Sequence, residues 1–308
     1  MRKNKILNPW INTVSLDSVC YNSDSMEQRL QRIDDYIETI TDQPDLILLP
    51  EACLTGLTAL EERYRFIARG DKYFSHFQQL AKQHNTYLAA TVLFTDNGQY
   101  YNAVLLFNPY GELEYIYYKS YLTTSELEAG LIPGSPRQKC WNAPWGKTAF
   151  AICYDINFQP LFDNYRQQHI ELLLFPSYLP GGMVLQQQAL FLRSFVVSSH
   201  GQGFESRFID RVGQKFLCTN MLEPVVTGKL LLNSAAIRYE PGKFKIIKAK
   251  FGRQILFELL RPEGFALITI PELQQDVKEI ISKYNLSLID DWYNSCEIAN
   301  NEQRKSSY

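Results

Sequence analysis

Short apolar runs and amphipathic stretches alternate along this chain. Leu46-Ile47-Leu48-Leu49, Ala149-Phe150-Ala151-Ile152 and Leu172-Leu173-Leu174-Phe175 are continuous apolar runs of buried-strand length. Met26, Leu30, Ile33, Ile37 and Ile40 recur at helical spacing and predict one apolar helix face, with Asp24 and Glu27 as a capping pair. Phe74, Phe77, Leu80 and Ala81 mark another helix, and Thr58 to Arg69 also reads as helical. A weak strand is expected from Thr13 to Cys20. Tyr87–Phe94, Tyr101–Phe107 and Glu112–Lys119 read as strands joined by turns at Asp96-Asn97-Gly98 and Asn108-Pro109-Tyr110-Gly111. Pro160 fits the first turn of a helix over Leu161 to Gln168. Later, helices are expected over Gln186–Val197 and Ser206–Val212, and strands over Lys215–Asn220, Ser234–Tyr239, Ile246–Lys250 and Phe265–Ile270. Glu240-Pro241-Gly242 reads as a turn, and Pro271-Glu272 opens a helix through Tyr284. Strands alternating with helices point to an α/β layered fold. No repeat, low-complexity linker or boundary interrupts it, so residues 1–296 read as one domain and residues 297–308 as a polar, mobile tail.

Composition narrows the function classes. The chain has 308 residues, 45 % hydrophobic, enough for a large core without disulfides. A net charge of −2 with no long basic run argues against nucleic acid and acidic membrane surfaces as partners. Six cysteines show no metal-type spacing with the four histidines and read as free thiols of a reducing compartment, which points to the cytoplasm. No metal or organic cofactor is implied. No run approaches the roughly 18 apolar residues of a membrane span.

Three strand ends each deliver one reactive group. Glu51 ends the apolar run at Leu46–Leu49, Lys119 ends the aromatic strand Tyr115-Ile116-Tyr117-Tyr118, and Cys153 ends the run at Ala149–Ile152 where a helix is about to begin. A cysteine attacks as the thiolate, a neighbouring carboxylate can take its proton, and an ammonium can stabilise the charge that develops. For each group alone the ordinary reading is structural: a lone apolar-context cysteine packs, and a loop glutamate is solvated. A Cys-His scheme would use His169 or His200, but neither lies in a recognisable motif. The stretch Thr123 to Cys140 reads as a loop just after the Lys119 strand, and long loops in such places are more often functional than idle.

Together these stretches resemble the nitrilase superfamily, or carbon–nitrogen hydrolases. Asp45–Gly56 is similar to its D-strand-PE-x-x-x-T-G segment, Tyr101-Asn102-Ala103-Val104 to its Y-N strand, Cys153-Tyr154-Asp155 to its C-Y-D, and Phe175-Pro176-Ser177 to its later strand end. The resemblance implies a four-layer αββα sandwich and a Glu51-Lys119-Cys153 triad. It implies a small amide as substrate partner, a thioester intermediate, and an oxyanion site completed by the Tyr154 N–H. A second glutamate before Pro133-Gly134 would position substrate and lysine; Glu126 and Glu128 both qualify, with Glu128 favoured by its spacing. Tyr101, Phe158 and Tyr178 are candidates for the pocket wall. Homo-oligomers would form through the Leu161–Gln168 helix. The family's R-A-x-E-N segment corresponds to Arg207-Phe208-Ile209-Asp210-Arg211, and Pro180–Gly203 matches poorly, which leaves the substrate open. Acyl transfer, nitrile or N-carbamoyl hydrolysis, and a non-catalytic scaffold are the alternatives.

Overall fold

The structure is a computed structural model and describes residues 8–14, 25–56, 60, 62, 65–260, 264–272 and 275–306. Its backbone groups into two compact units, one over Pro9–Leu230 and one over Lys5–Asn8 with Leu231–Tyr308.

In the first unit the elements run β1 (Trp10–Val14), α1 (Met26–Glu38), β2 (Leu46–Leu48), β3 (Ile67–Ala68), α2 (Lys72–Gln83), β4 (Tyr87–Asp96), β5 (Gln99–Phe107), β6 (Leu113–Tyr118) and α3 (Thr124–Glu128). They continue as β7 (Trp141–Ala143), β8 (Gly146–Phe150), α4 (Gln159–Gln168), β9 (Leu172–Ser177), α5 (Gly182–Leu192), β10 (Phe195–His200), β11 (Arg207–Ile209), β12 (Lys215–Cys218) and β13 (Val225–Lys229). Among the described residues, one sheet has the order β13-β1-β2-β4-β5-β6, with β3 beside β4; the other is β12-β11-β10-β9-β8-β7.

The sheets lie face to face. Thr13 Oγ1 donates to Ser198 O at 2.7 Å and Ser199 Oγ to Val14 O at 2.6 Å, both across the sandwich. Tyr87 of the first sheet meets Trp141 of the second at 5.0 Å between rings. Helices α1 and α2 bury Ile33, Ile37, Phe74 and Phe77 against the outer face of the first sheet, and α4 and α5 bury Leu161, Phe162, Leu185 and Ala189 against the second. This is the expected αββα sandwich.

Local chemistry explains the boundaries. Ser25, not Asp24, caps α1: its hydroxyl accepts from Gln28 N, while Gln28 Oε1 accepts from Ser25 N. Asp71 caps α2 by accepting from Tyr73 N and Phe74 N. The remainder of the expected Thr13–Cys20 strand, Asp24, and residues 58, 59, 61, 63 and 64 of the expected Thr58–Arg69 helix lie outside the described residues; the described part of that stretch is not α-helical, and Ile67–Ala68 is a short strand. The expected Gln186–Val197 helix stops at Leu192, because Arg193 turns left-handed (φ 53°) and Phe195-Val196-Val197 enter the sheet as β10. Ser206–Val212 is not helical; Arg207–Ile209 pairs with β10 as β11.

The second unit continues as β14 (Ser234–Arg238), α6 (Pro241–Phe251), β15 (Leu256–Leu260), β16 (Phe265–Thr269), α7 (Val277–Lys283) and α8 (Ile289–Ser306). Its sheet order is β14-β16-β15, all antiparallel. The strand expected at Ile246–Lys250 is helix α6, which buries Phe244 and Ile247 and leaves Ile246 exposed. The helix expected from Pro271 starts only at Val277, capped by Asp276. The residues expected as a mobile tail are helical as far as Ser306. Among the described residues no helix is long and apolar enough to cross a membrane, and no group of three His, Cys, Asp or Glu could hold a metal.

Candidate active site

Parallel strands β2 and β4 and the antiparallel β5–β6 pair converge at one end of the first sheet. Glu51 stands in the turn after β2. Leu49 N still bonds Ala89 O and Cys53 N bonds Thr91 O, so the turn is stitched to β4 on both sides of the glutamate. Lys119 follows β6 directly, and its N–H donates to Asn102 O of β5. Gly134 passes so close to this strand end that a Cβ there would lie 2.3 Å from Tyr118 O, which requires glycine.

The side chains meet in a buried cluster. Lys119 Nζ donates to Glu51 Oε1 at 2.9 Å and to Glu126 Oε1 at 2.8 Å, and all three residues are at most 1 % exposed. Glu126 is held from behind by a capping box: its Oε2 accepts from Thr123 N (2.8 Å) and Thr123 Oγ1 (3.0 Å) at the start of α3. Of the two glutamates of this stretch, the structure thus brings Glu126 to Lys119. Glu128, the favoured candidate, points to solvent from the end of the same short helix. The stretch read as loop contains this helix, and its T-x-x-E spacing was the signal available for it.

Asn102 joins the cluster: its Nδ2 donates to Glu51 Oε1 at 2.8 Å and Glu126 Oε1 at 2.9 Å, and its buried Oδ1 has no partner among the described residues.

The second sheet supplies the thiol. Cys153 opens a 3₁₀ turn (Cys153–Asn157) after β8 and adopts φ 43°, a left-handed backbone that a non-glycine residue holds only under constraint. Asp155 provides the constraint: fully buried, it accepts from Ile152 N (2.8 Å), Tyr121 N (2.7 Å) and the Tyr117 hydroxyl (2.8 Å). Burial lifts its carboxyl to about 7 against these bonds, each of which favours the ion. The Ser177 hydroxyl and the Tyr178 N–H at the end of β9 face the Cys153 thiol and work against the rise that burial imposes on it. The Tyr178 N–H also donates to Glu51 Oε2 at 2.9 Å, tying the two sheets together at the site.

Electrostatics follow from the charge count. Burial first, then the Glu51 carboxylate, push the Cys153 thiol up to about 12, with Lys119 opposing. Burial alone would lower Lys119, but Glu51 and Glu126 outweigh it and hold the ammonium above its ordinary value. Burial would raise Glu126; Lys119 and the Asn102 amide keep it below its usual value. Cys53 is driven to about 12 by burial, with Arg29 opposing, and packs in the core.

The remaining candidates divide. Tyr154 follows the thiol with its ring 40 % exposed, edge-on to Phe158, which stacks flat on Tyr121 at 4.0 Å. Tyr178 reaches the site through its backbone, while its ring is buried in the core. Tyr101 does not join: residues alternate along β5, so with Asn102 facing inward Tyr101 lies on the helix-facing side against Tyr118. His169 caps the end of α4, and His200 Nδ1 is engaged by Glu205 O at 2.7 Å. Arg207–Arg211 starts on β11, where Arg207 NH1 donates to Gly182 O and Arg211 NH1 to Arg193 O.

The carbon-nitrogen hydrolase family profile matches residues 15–202, more than half of the chain. The chain belongs to this family. Among curated proteins, it is 30 % identical over 146 residues to the Probable hydrolase YhcX of Bacillus subtilis (strain 168), covering 44 % of this chain and 28 % of that protein. It is 24 % identical over 197 residues to the deaminated glutathione amidase of Dictyostelium discoideum, covering 58 % of this chain and 67 % of that one. The C. elegans NitFhit protein superposes with a TM-score of 0.63 at 19 % identity, over 73 % of this chain and 61 % of that one. Saccharomyces cerevisiae Nit3, a member of the nitrilase superfamily, superposes at 0.62 and 17 % identity, over 80 % and 95 %. An amidase from Nesterenkonia sp. gives 0.62 and 17 % identity, over 75 % and 92 %. The chain therefore spans well under a third of the YhcX length it matches. At these identities the structural likenesses speak to the fold of this carbon-nitrogen hydrolase alone.

Proposed function

We propose that the protein hydrolyses a small amide through a thioester on Cys153, releasing ammonia or an amine. The observation that carries this reading is the Lys119 ammonium bonded at 2.8–2.9 Å to two buried carboxylates, Glu51 and Glu126, next to a cysteine on a strained elbow. Glu51 and Glu126 with Lys119 already sum to one negative charge, so a resting thiolate would add a second in a dry site. Moving the thiol proton to Glu51 as the sulfur attacks keeps the net charge unchanged. The tetrahedral oxyanion that forms then accepts from the Lys119 ammonium and the Tyr154 N–H. Glu51, now protonated, gives its proton to the leaving nitrogen as the C–N bond breaks, which leaves an acyl thioester. Glu51 next takes a proton from water, the hydroxide adds to the thioester carbonyl, and the thiol leaves with that proton while the acid departs. A buried charged cluster is weak support for stability, since apolar residues of the same volume pack as well or better. That favours chemistry over an inert scaffold. The relatives named as a hydrolase and an amidase agree with the reaction class.

Ammonia and amine release from short amides, ω-amides, N-carbamoyl amino acids and nitriles tests this reading. Release that vanishes in Cys153→Ala is expected. Release that persists in that variant, or an acid product with no need for Cys153, overturns it.

A further inference from the structure

We propose that Asn102 is a positioning residue of this site, whose single side-chain amide holds the Glu51 and Glu126 carboxylates on either side of the Lys119 ammonium. The inference rests on Glu51 acting as the base for Cys153 and extends the machinery to a residue outside the triad. The amide orientation is settled by its neighbours. Both contacts, at 2.8 and 2.9 Å, are carboxylate oxygens, which accept only, so the NH₂ group must face them. The geometry is a closed square: Lys119 Nζ and Asn102 Nδ2 each donate to the same two atoms, Glu51 Oε1 and Glu126 Oε1. Two like charges thus share two donors, one cationic and one neutral. The backbone of Asn102 joins in as well, since its C=O accepts from the Lys119 N–H. Both hydrogens of the amide are thus spent on the two carboxylates, while Oδ1 has no partner among the described residues.

Without the amide the carboxylates share only the ammonium. Each loses a hydrogen bond that favours its ionised form and feels more of the other's charge, so the carboxylate cluster takes up a proton at higher pH. The test is the pH profile of Cys153 alkylation by iodoacetamide, read by peptide mass spectrometry over pH 5–9, which needs no known substrate. Asn102→Leu keeps the size and removes both donors; Asn102→Ser keeps one donor and serves if the leucine variant does not fold. Glu51→Gln is run alongside. Positioning predicts that the acid limb moves up by about one pH unit, a roughly tenfold slower reaction on that limb, with Asn102→Ser between wild type and Asn102→Leu. Profiles that superimpose on wild type, while Glu51→Gln changes the rate, overturn the role of Asn102 alone. A Glu51→Gln profile identical to wild type sinks the base assignment and the proposal with it. A variant in which Cys140 and Cys53 become as reactive as Cys153 has lost its fold, and a merely structural role is then the answer.

Discussion

The two sheets contribute to the site in opposite ways. The first supplies every charge, Glu51 after β2, Lys119 after β6 and Glu126 on the helix that follows, together with the neutral Asn102 amide on β5 between the two carboxylates. These groups are fixed by hydrogen bonds to one another. The second supplies no charge to the cluster. It brings a thiol on a left-handed residue, a hydroxyl and a backbone N–H, fixed by the turn that Asp155 braces. One half is positioned by electrostatics and the other by backbone strain. The charges can therefore be assembled within a single sheet, while the Cys153 thiol meets them only where the second sheet docks, through Tyr178 N–H to Glu51 and Tyr117 to Asp155.

Breaking the charged half has the largest expected effect. Lys119→Met leaves two buried carboxylates without their cation and is expected to lower stability by about 3–5 kcal/mol, read as a shift in the urea midpoint. On the second sheet, burial pushes the His200 imidazole down to about 4. Its ordinary value is near 6.5, so between those values the unfolded chain binds the extra proton. Stability falls as the pH drops through that window, by on the order of 3 kcal/mol in all. His200→Gln is expected to flatten the difference between urea melts at pH 7 and pH 4.5; equal slopes in the two proteins would refute it. Bracing of the elbow is tested by Asp155→Asn, which turns an NH₂ or a single acceptor toward three donors and is expected to cost about 2 kcal/mol. The smallest effect sharpens the contrast within the first sheet. Glu128→Gln is expected to change stability by less than about 0.5 kcal/mol and to leave Cys153 labelling unchanged, whereas Glu126→Gln alters the labelling rate.

Glu51 and Cys153 were legible because each follows a continuous apolar run, a pattern that buried parallel strands impose, whereas Lys119 stands out as the cation that ends the half-buried aromatic edge strand β6. Glu126 was harder, since two glutamates two residues apart differ only in which one the Thr123 cap holds. Asn102 was missed because an amide's role depends on which charges tertiary packing brings beside it. The segment 182–212 misled for a local reason: Phe195-Val196-Val197 continues the apolar spacing of α5, and only the left-handed Arg193 ends the helix. In the second unit, Lys245-Ile246-Ile247-Lys248 has no strand alternation to distinguish it from a helix burying Phe244 and Ile247.

The most direct measurement is a ranking of cysteines within one folded chain by iodoacetamide labelling at neutral pH. Cys140, Cys153, Cys218 and Cys296 are all partly buried, and the Cys140 and Cys153 thiols are both pushed up to about 12, with burial the largest cause in each. If Glu51 and Lys119 activate the thiol, Cys153 labels first, ahead of Cys218, which is far less enclosed, and the lead disappears in Glu51→Gln. Labelling in order of exposure, with Cys153 no faster than Cys140, would contradict the account.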